Sequence, residues 1–395
     1  MKKRNTLLMF ALVALTVSLL TAPVAAAKDK KVEKPVYKFK TVLEVKRTPV
    51  KDQYHTGTCW CFATVAFLEA ELLRLDRGEF DLSEMFVVRH TYPKKALNYV
   101  QMHGNAVHQQ GGQAHDVIEQ VREFGIVPEE VYSGMNIGEK RHNHGEMAAM
   151  LQGVTEAVLK RKGTRLTPRW LQAYEAILDS YLGKVPAEFN WQGRTCTPKT
   201  FASDVLGLPL DDYIELTSYD QHPFYRQCRL EIPDNWTYDR NYYNLPIDEL
   251  ESAVERALTD GYSVVWDGDV SEKDFSTRET GYALVPEKDW EDKTTAEREK
   301  KPTAPIEEKE ITQAMRSKTL GDFSTTDDHL MHIVGLAQDQ TGARFFLIKN
   351  SGGTDRKYDG YVYMSRPYFR LKTTALMVNK NSLKPELRTK LGMKP

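Results

Sequence analysis

Cysteine is scarce in this chain: there are four, Cys59, Cys61, Cys196 and Cys228, among 395 residues. So few cannot staple a disulfide-dense scaffold. With no CxxC pair and no second CxC they do not complete a thiolate zinc site either. The histidines and carboxylates add no compelling ligand set, so neither a metal nor a cofactor is expected. An excess of one charge is also lacking, since 54 Lys and Arg stand against 55 Asp and Glu, a formal net charge of -1. That balance gives no electrostatic footprint for nucleic acid. After the first 27 residues no apolar run reaches the length of a membrane span, and no internal repeat is visible.

What the N-terminus does contain is an ordered set of signals. Lys2, Lys3 and Arg4 give a basic start, Leu7 to Leu20 form a largely apolar run, and Ala25-Ala26-Ala27 supply small residues before charged Lys28. The run is too short for a good span, and the order reads as a secretory signal over residues 1–27, removed from a domain of residues 28–395. An uncleaved anchor is the alternative, while the absence of a cysteine after the run argues against a lipid anchor. The expectation is an exported protein, periplasmic or extracellular, with no stable membrane insertion after cleavage. In an oxidising compartment Cys196 and Cys228 are a candidate disulfide pair if Cys59 stays free. Cys59 and Cys61 stand too close together to bridge.

Along the chain, helical periodicity comes first. Val65, Leu68, Leu72 and Leu75 recur at three- and four-residue spacing and stop near Arg77-Gly78. Val117, Ile118, Val121 and Phe124 predict a second helix ending at Gly125 and Pro128, and residues 144–160, 169–182 and 247–259 predict three more. Strand-like runs dominate later: Tyr262 to Trp266, His329 to Ala337, Phe345 to Lys349, Gly360 to Met364 and Ala375 to Val378, with an early short one around Val42. A chain that begins helix-rich and ends strand-rich predicts an α+β fold with a helical lobe, a β lobe and chemistry between them. Residues 285–311, dense in Lys, Glu and Thr, predict a solvated, flexible excursion.

Four residues carry the chemistry. Cys59 stands at a predicted helix start, where orphan amides and the helix dipole favour a thiolate. Gln53, just upstream, can set its side-chain amide beside the Cys59 N–H, and two such donors stabilise a tetrahedral oxyanion. His329 lies on one face of its predicted strand and His332 on the other, so only one can face the cysteine. His329 is favoured and His332 is assigned to packing, as is Cys61. A hairpin through the turn at Gly342 can bring Asn350 beside His329, where its amide oxygen can accept the imidazole N–H and orient the ring. Gly111-Gly112 can expose backbone groups to an extended peptide, and Asp327-Asp328 can influence selectivity for a peptide amine. With Trp60, these are the candidate substrate-contacting residues. Each taken singly has a blander reading as a turn, a loop or a core residue; the case rests on the set.

The set resembles the papain superfamily. Gln53 and Gly57-Thr58-Cys59-Trp60-Cys61-Phe62-Ala63 are similar to its nucleophile segment. Gly111-Gly112 and Gly125-Ile126-Val127-Pro128-Glu129-Glu130-Val131-Tyr132 are similar to its later stretches. Compact members separate cysteine and histidine by roughly 130–150 residues, far less than the interval between Cys59 and His329. The longer interval resembles the bleomycin hydrolase or aminopeptidase C branch, as do Thr197-Pro198-Lys199-Thr200-Phe201, Asn244-Leu245-Pro246, Thr325-Thr326-Asp327-Asp328-His329 and Val378-Asn379-Lys380. The resemblance implies a papain-like two-lobed fold with an extended helical insertion at approximately 140–250. It implies Cys59 as nucleophile, His329 as general base and acid, Asn350 as its orienter and Gln53 in the oxyanion hole. It also implies a thioester acyl-enzyme, removal of N-terminal residues from peptides, and often a homo-hexameric ring.

Two departures stand out. The usual Asn-Ser-Trp-Gly motif is Asn350-Ser351-Gly352-Gly353 here, which removes the indole that shields the histidine–asparagine bond. The chain also runs only a little past its last recognisable segment, while that branch commonly carries a C-terminal arm in the cleft. The expected function is therefore an exported thiol aminopeptidase acting on peptides. A papain-like endopeptidase and a weak or inactive peptide-binding scaffold stand as alternatives.

Overall fold

The computed structural model describes residues 36–163, 165–299 and 304–393; the segment read as a secretory signal lies outside them. Helix α1 (Cys59–Arg74) is buried on nearly every face, from Cys59 to Leu72. Even its carboxylates are inside, and each is paired, as buried charge requires. Glu69 accepts from Thr48, Lys51 and the Leu82 backbone N–H, and Glu71 accepts from Arg74 and Asn379.

Helix α2 (Glu84–Gln101) starts at Ser83, whose hydroxyl accepts from the Phe86 N–H at 3.0 Å. Sequence periodicity did not predict this helix. It holds Pro93 in its interior, so it shows no uninterrupted helical run. Helix α3 (Ala114–Phe124) starts where Asp116 accepts the Gln113 backbone N–H and ends at Gly125, whose φ of 83° suits glycine. Helices α4 (Gly145–Lys160) and α5 (Arg169–Leu182) pack on each other and on α2. An Arg89–Asp179 ion pair of 2.8 Å fastens α5 to α2. These helices, with Phe201 and Leu206, form one apolar cluster around Trp60 and Phe67.

The main sheet runs in the order Gln227–Cys228, Tyr242–Asn244, Tyr213–Thr217, Thr373–Asn379, Val264–Gly268, His329–Gln338, Arg344–Lys349, Tyr361–Ser365, Tyr282–Ala283, Phe275–Ser276. Lys40–Glu44 pairs with the far end of His329–Gln338. The central strands are buried throughout, because α1 covers one face and the helix Ile247–Thr259 the other. Side chains alternate between the two sides as strand geometry dictates. Val265, Leu330 and Met377 join the α1 cluster, whereas Trp266, Met331 and Leu376 join the cluster under Ile247–Thr259.

All four cysteines are unpaired. Cys196 is buried in the helical cluster, while Cys228 packs with Tyr219, Leu230, Ile232 and Tyr242 in another. The pair expected as a disulfide is thus split between separate apolar clusters and is not bridged. Within 285–311 the stems are joined: Pro286 bridges to Glu308, and the Glu308 carboxylate accepts from the Val285 N–H and the Ser365 hydroxyl. Among the described residues no helix is long and apolar enough to cross a membrane.

Candidate active site

Cys59 opens α1 and is 9% exposed, at the edge of a cavity of about 1070 Å³. The strand His329–Gln338 packs beside α1, and the backbone N–H of Leu330 is directed at the Cys59 sulfur. The hairpin sets His332 opposite Lys349, so Asn350 leaves the second strand next to the start of the first. His329 Nε2 and Asn350 Oδ1 are 2.7 Å apart. An amide oxygen can only accept, so Nε2 carries the proton and Nδ1 of the neutral ring is an acceptor.

A polar relay extends from that bond. Asn350 Oδ1 also accepts the Ser351 N–H at 2.8 Å, and the Ser351 hydroxyl donates to Gln53 Oε1 at 2.6 Å. The Gln53 side chain donates one N–H to the Thr56 carbonyl at 2.7 Å and retains its second. Ser351 and Thr56 were not singled out by sequence reasoning. They lie next to the motif residues and act by fixing them.

Burial pushes the Cys59 thiol up to about 12, assisted by Asp234 and Asp327 and opposed by the amides of Leu330 and Trp60. Burial also holds His329 below its ordinary value, against the opposing effects of Asn350 and Asp328. Both directions favour the neutral forms of the two groups, a thiol and an unprotonated imidazole. The sequence argument for a thiolate counted the helix start and a nearby imidazolium; burial and the surrounding carboxylates act against it.

Those carboxylates form a wall. Asp327, Asp328 and Asp234 line the cavity beside Cys59 together with Lys95 and His108. Asp327 accepts from the Gln113 side chain at 3.4 Å and from the Asp234 backbone N–H at 3.3 Å. Buried Asp267 stands behind it and is raised to about 7, mainly by desolvation. The Asp234 carboxylate accepts no hydrogen bond among the described residues. It lies across Gly111 so closely that a Cβ there would come within 1.9 Å of Asp234 Oδ2. The remaining wall of the cavity is largely apolar and aromatic, with Tyr92, Tyr99, Leu151 and Tyr174.

Gly111 lines this cavity, but Lys95 already donates to its carbonyl. Gly112 and Trp60 do not contact it. Trp60 has no exposure, and its indole N–H donates to the Gln110 carbonyl at 2.9 Å. A Cβ on Gly112 would sit 3.1 Å from that ring. The reading of Trp60 and Gly112 as substrate contacts is corrected accordingly: they pack behind the surface and support it. His332 is 1% exposed, beside the Phe67 ring, and Cys61 donates to the Glu84 carbonyl in the core.

Nothing in the sequence pointed to Asp234. Its segment is held by buried His115, whose Nδ1 pairs with Glu215 at 2.8 Å and whose Nε2 meets the Thr237 hydroxyl at 2.9 Å. Asp239 completes a potential ligand trio with His115 and Glu215. Both imidazole nitrogens are engaged within the protein: the Glu215 pair ties α3 to the strand Tyr213–Thr217, and the Thr237 bond ties it to the 234–242 segment.

Comparison with known proteins agrees with this architecture. The model of the peptidase C1-like family matches residues 96–395. Aminopeptidase G of Lactobacillus delbrueckii subsp. lactis is 23% identical over 398 aligned residues, covering 88% of this chain and 84% of that protein. The mitochondrial cysteine proteinase 1 of Saccharomyces cerevisiae is 22% identical, covering 89% and 79%. The crystal structure of PepW from Lactobacillus rhamnosis superposes with a TM-score of 0.67 at 20% identity, covering 89% of this chain and 84% of that one. The mixed α+β, papain-like fold is shared.

Proposed function

This chain belongs to the peptidase C1-like family, and we propose that it is an exported thiol aminopeptidase of the bleomycin hydrolase or aminopeptidase C branch. The observation that carries this reading is the Asp234 carboxylate, which accepts no hydrogen bond among the described residues, lying across Gly111, backed by Asp327, at the edge of the cavity that holds Cys59. An extended peptide continuing past that point would meet Asp234. A peptide that ends there places its α-ammonium against two carboxylates. The names of the relatives, aminopeptidases G, W and E among them, favour the same activity. Export rests on the order of basic, apolar and small residues over 1–27.

In this mechanism the thiol proton of Cys59 passes to His329 Nδ1 as sulfur attacks the scissile carbonyl carbon. Asn350 keeps Nε2 in place and stabilises the imidazolium. The carbonyl oxygen takes up the negative charge between the Cys59 backbone N–H and the second N–H of Gln53. Collapse breaks the C–N bond, His329 returns its proton to the departing amine, and a thioester remains on Cys59. His329 then takes a proton from water, whose oxygen attacks the thioester. Collapse then breaks the C–S bond, His329 returns that proton to the sulfur, and the free N-terminal residue leaves the restored Cys59 thiol. Starting from a neutral pair, the proton moves with the attack rather than before it.

The test is cleavage of one peptide in free-amine and N-acetylated forms, by the native protein and by Cys59→Ala. Cleavage of the free-amine form alone, lost in the folded variant, is expected. Equal cleavage of both forms would convert the reading to an endopeptidase, and folded protein that binds both without turnover would convert it to a binding scaffold.

A further inference from the structure

We propose that the cavity on the other side of His329 binds a carboxylate on the leaving part of the substrate, so that short peptides with a free C-terminus, or peptides with an acidic residue soon after the scissile bond, are preferred. This rests on the peptidase reading. The acyl half of a substrate stays on Cys59, beside the acidic cavity. The amine half takes its proton from His329 and therefore departs past His329 and Asn350. Those two residues line a second cavity of about 940 Å³, which also contains Arg141, Arg278 and Arg356.

Gly352 makes this space. A Cβ there would find only the Asn350 amide nitrogen at 3.7 Å and Arg356 Nε at 3.8 Å, both ordinary contacts. A guanidinium therefore stands next to the position from which the resembled family projects an indole. Asp52 and Asp355 are the carboxylates lining the cavity. Asp355 is paired with Arg356, and Asp52 accepts the Tyr54 N–H at 2.8 Å while lying against Gly353. Among the described residues neither Arg141 nor Arg278 has a carboxylate within ion-pair distance. Arg141 instead lies over the Tyr54 ring, 5.3 Å from its centroid, and Arg278 is exposed. The planar fork of arginine is suited to a carboxylate. The cleft is consequently polarised, with carboxylates where the substrate amine ends and guanidiniums where the leaving part emerges.

The experiment measures kcat/KM for four peptides that share a free N-terminal leucine: Leu-Ala, Leu-Ala-amide, Leu-Ala-Asp-amide and Leu-Ala-Lys-amide. The free acid is expected to exceed the amide by about tenfold or more, the worth of one charge-assisted contact, and the gap should narrow with added salt. Faster turnover of the aspartyl than of the lysyl peptide extends recognition to side-chain carboxylates, whereas equality of those two restricts it to the chain terminus. In Arg141→Gln/Arg278→Gln, which removes charge from two side chains with no ion-pair partner among the described residues, the acid-to-amide ratio should fall towards one. Turnover with equal rates for acid and amide in the native protein overturns this inference and leaves the aminopeptidase reading standing. Absence of turnover on every peptide by folded protein overturns the peptidase reading, and this inference with it.

Discussion

Replacing Asp234 by Asn should weaken substrate recognition and sharpen the nucleophile at the same time. The carboxylate accepts no hydrogen bond among the described residues, so the substitution breaks no hydrogen bond there and removes only the charge that Lys95 senses, and Asn has nearly the same shape. An α-ammonium at hydrogen-bonding distance from a part-buried carboxylate gains about 4 kcal/mol of Coulomb energy at an effective dielectric of 20. Desolvation removes part of this, and Lys95, whose ammonium already senses Asp234, Asp116 and Asp327, removes more. A net loss of about 1–2 kcal/mol remains, roughly 5- to 30-fold in kcat/KM for free-amine peptides. Meanwhile Asp234 is one of the charges that raise the Cys59 thiol. Its neutralisation should move the pH profile of alkylation by iodoacetamide to lower pH. The paired assays separate recognition from damage, because a merely misfolded cleft loses both. Unchanged kcat/KM on free-amine peptides, or a thiol profile that stays put or moves up, would refute the reasoning. Asp234→Gly should in addition open the path along Gly111 and raise cleavage of N-acetylated peptides.

Other outcomes rest on the same geometry. Asn350→Ala removes the acceptor that fixes His329 and should lower kcat by about 100-fold, with thermal stability little changed; a kcat within threefold of native would contradict the orienting role. Gln53→Ala should cost about 100-fold in kcat with a small change in KM, checked by steady-state kinetics on a free-amine peptide. Buried His115 is raised to about 10, since Glu215, with Asp116 and Asp239, outweighs the desolvation that alone would lower it. A folded value above the ordinary 6.5 means that the pair stabilises fully below that pH and loses its contribution as pH rises through about 10. Urea melts of the native protein should lose a few kcal/mol over that window, and His115→Gln should flatten the slope. Denatured, unreduced protein should titrate four thiols with Ellman's reagent, as its unpaired cysteines require; two would restore the Cys196–Cys228 bridge.

The helices and central strands were legible where one face alone is buried, or where an apolar run is bounded by turn residues. The helix Ile247–Thr259 and the hairpin from His329 to Lys349 are of that kind. Helix α2 was not, because Pro93 in its interior reads as a stop, whereas α1, buried as fully, has no proline to interrupt its spacing. A different limit applies to Trp60 and Gly112. Their places in the motif are visible in sequence, but whether a residue faces the substrate or supports it from behind depends on which segment covers it.

Cys59, His329 and Asn350 could be proposed as nucleophile, base and orienter because each lies in a short segment whose local chemistry is distinctive, and a hairpin joins two of them. Of the acidic wall, Asp327 and Asp328 were named from the sequence, whereas Asp234 and the Asp267 behind it had no such signature. Asp234, Asp267 and Asp327 come from a loop, a strand and the entrance to another strand, and no spacing rule links them. They meet because Val264–Gly268 pairs with His329–Gln338, and because the His115–Thr237 bond holds the segment carrying Asp234 against α3. That placement changes the chemistry assigned to the motif itself. A cysteine that the helix start alone would make a thiolate becomes a buried thiol beside the carboxylates of Asp234 and Asp327. The charge that discourages the thiolate is the charge available to an incoming ammonium. A bound free amine would neutralise part of the wall, ease the proton off Cys59 and couple substrate recognition to activation of the nucleophile. Alkylation of Cys59 should accordingly quicken when a non-cleavable amine such as leucinol occupies only the edge of the cavity, and its N-acetylated counterpart should leave the rate unchanged. Slower alkylation with both would mean that the wall and the thiol are not coupled.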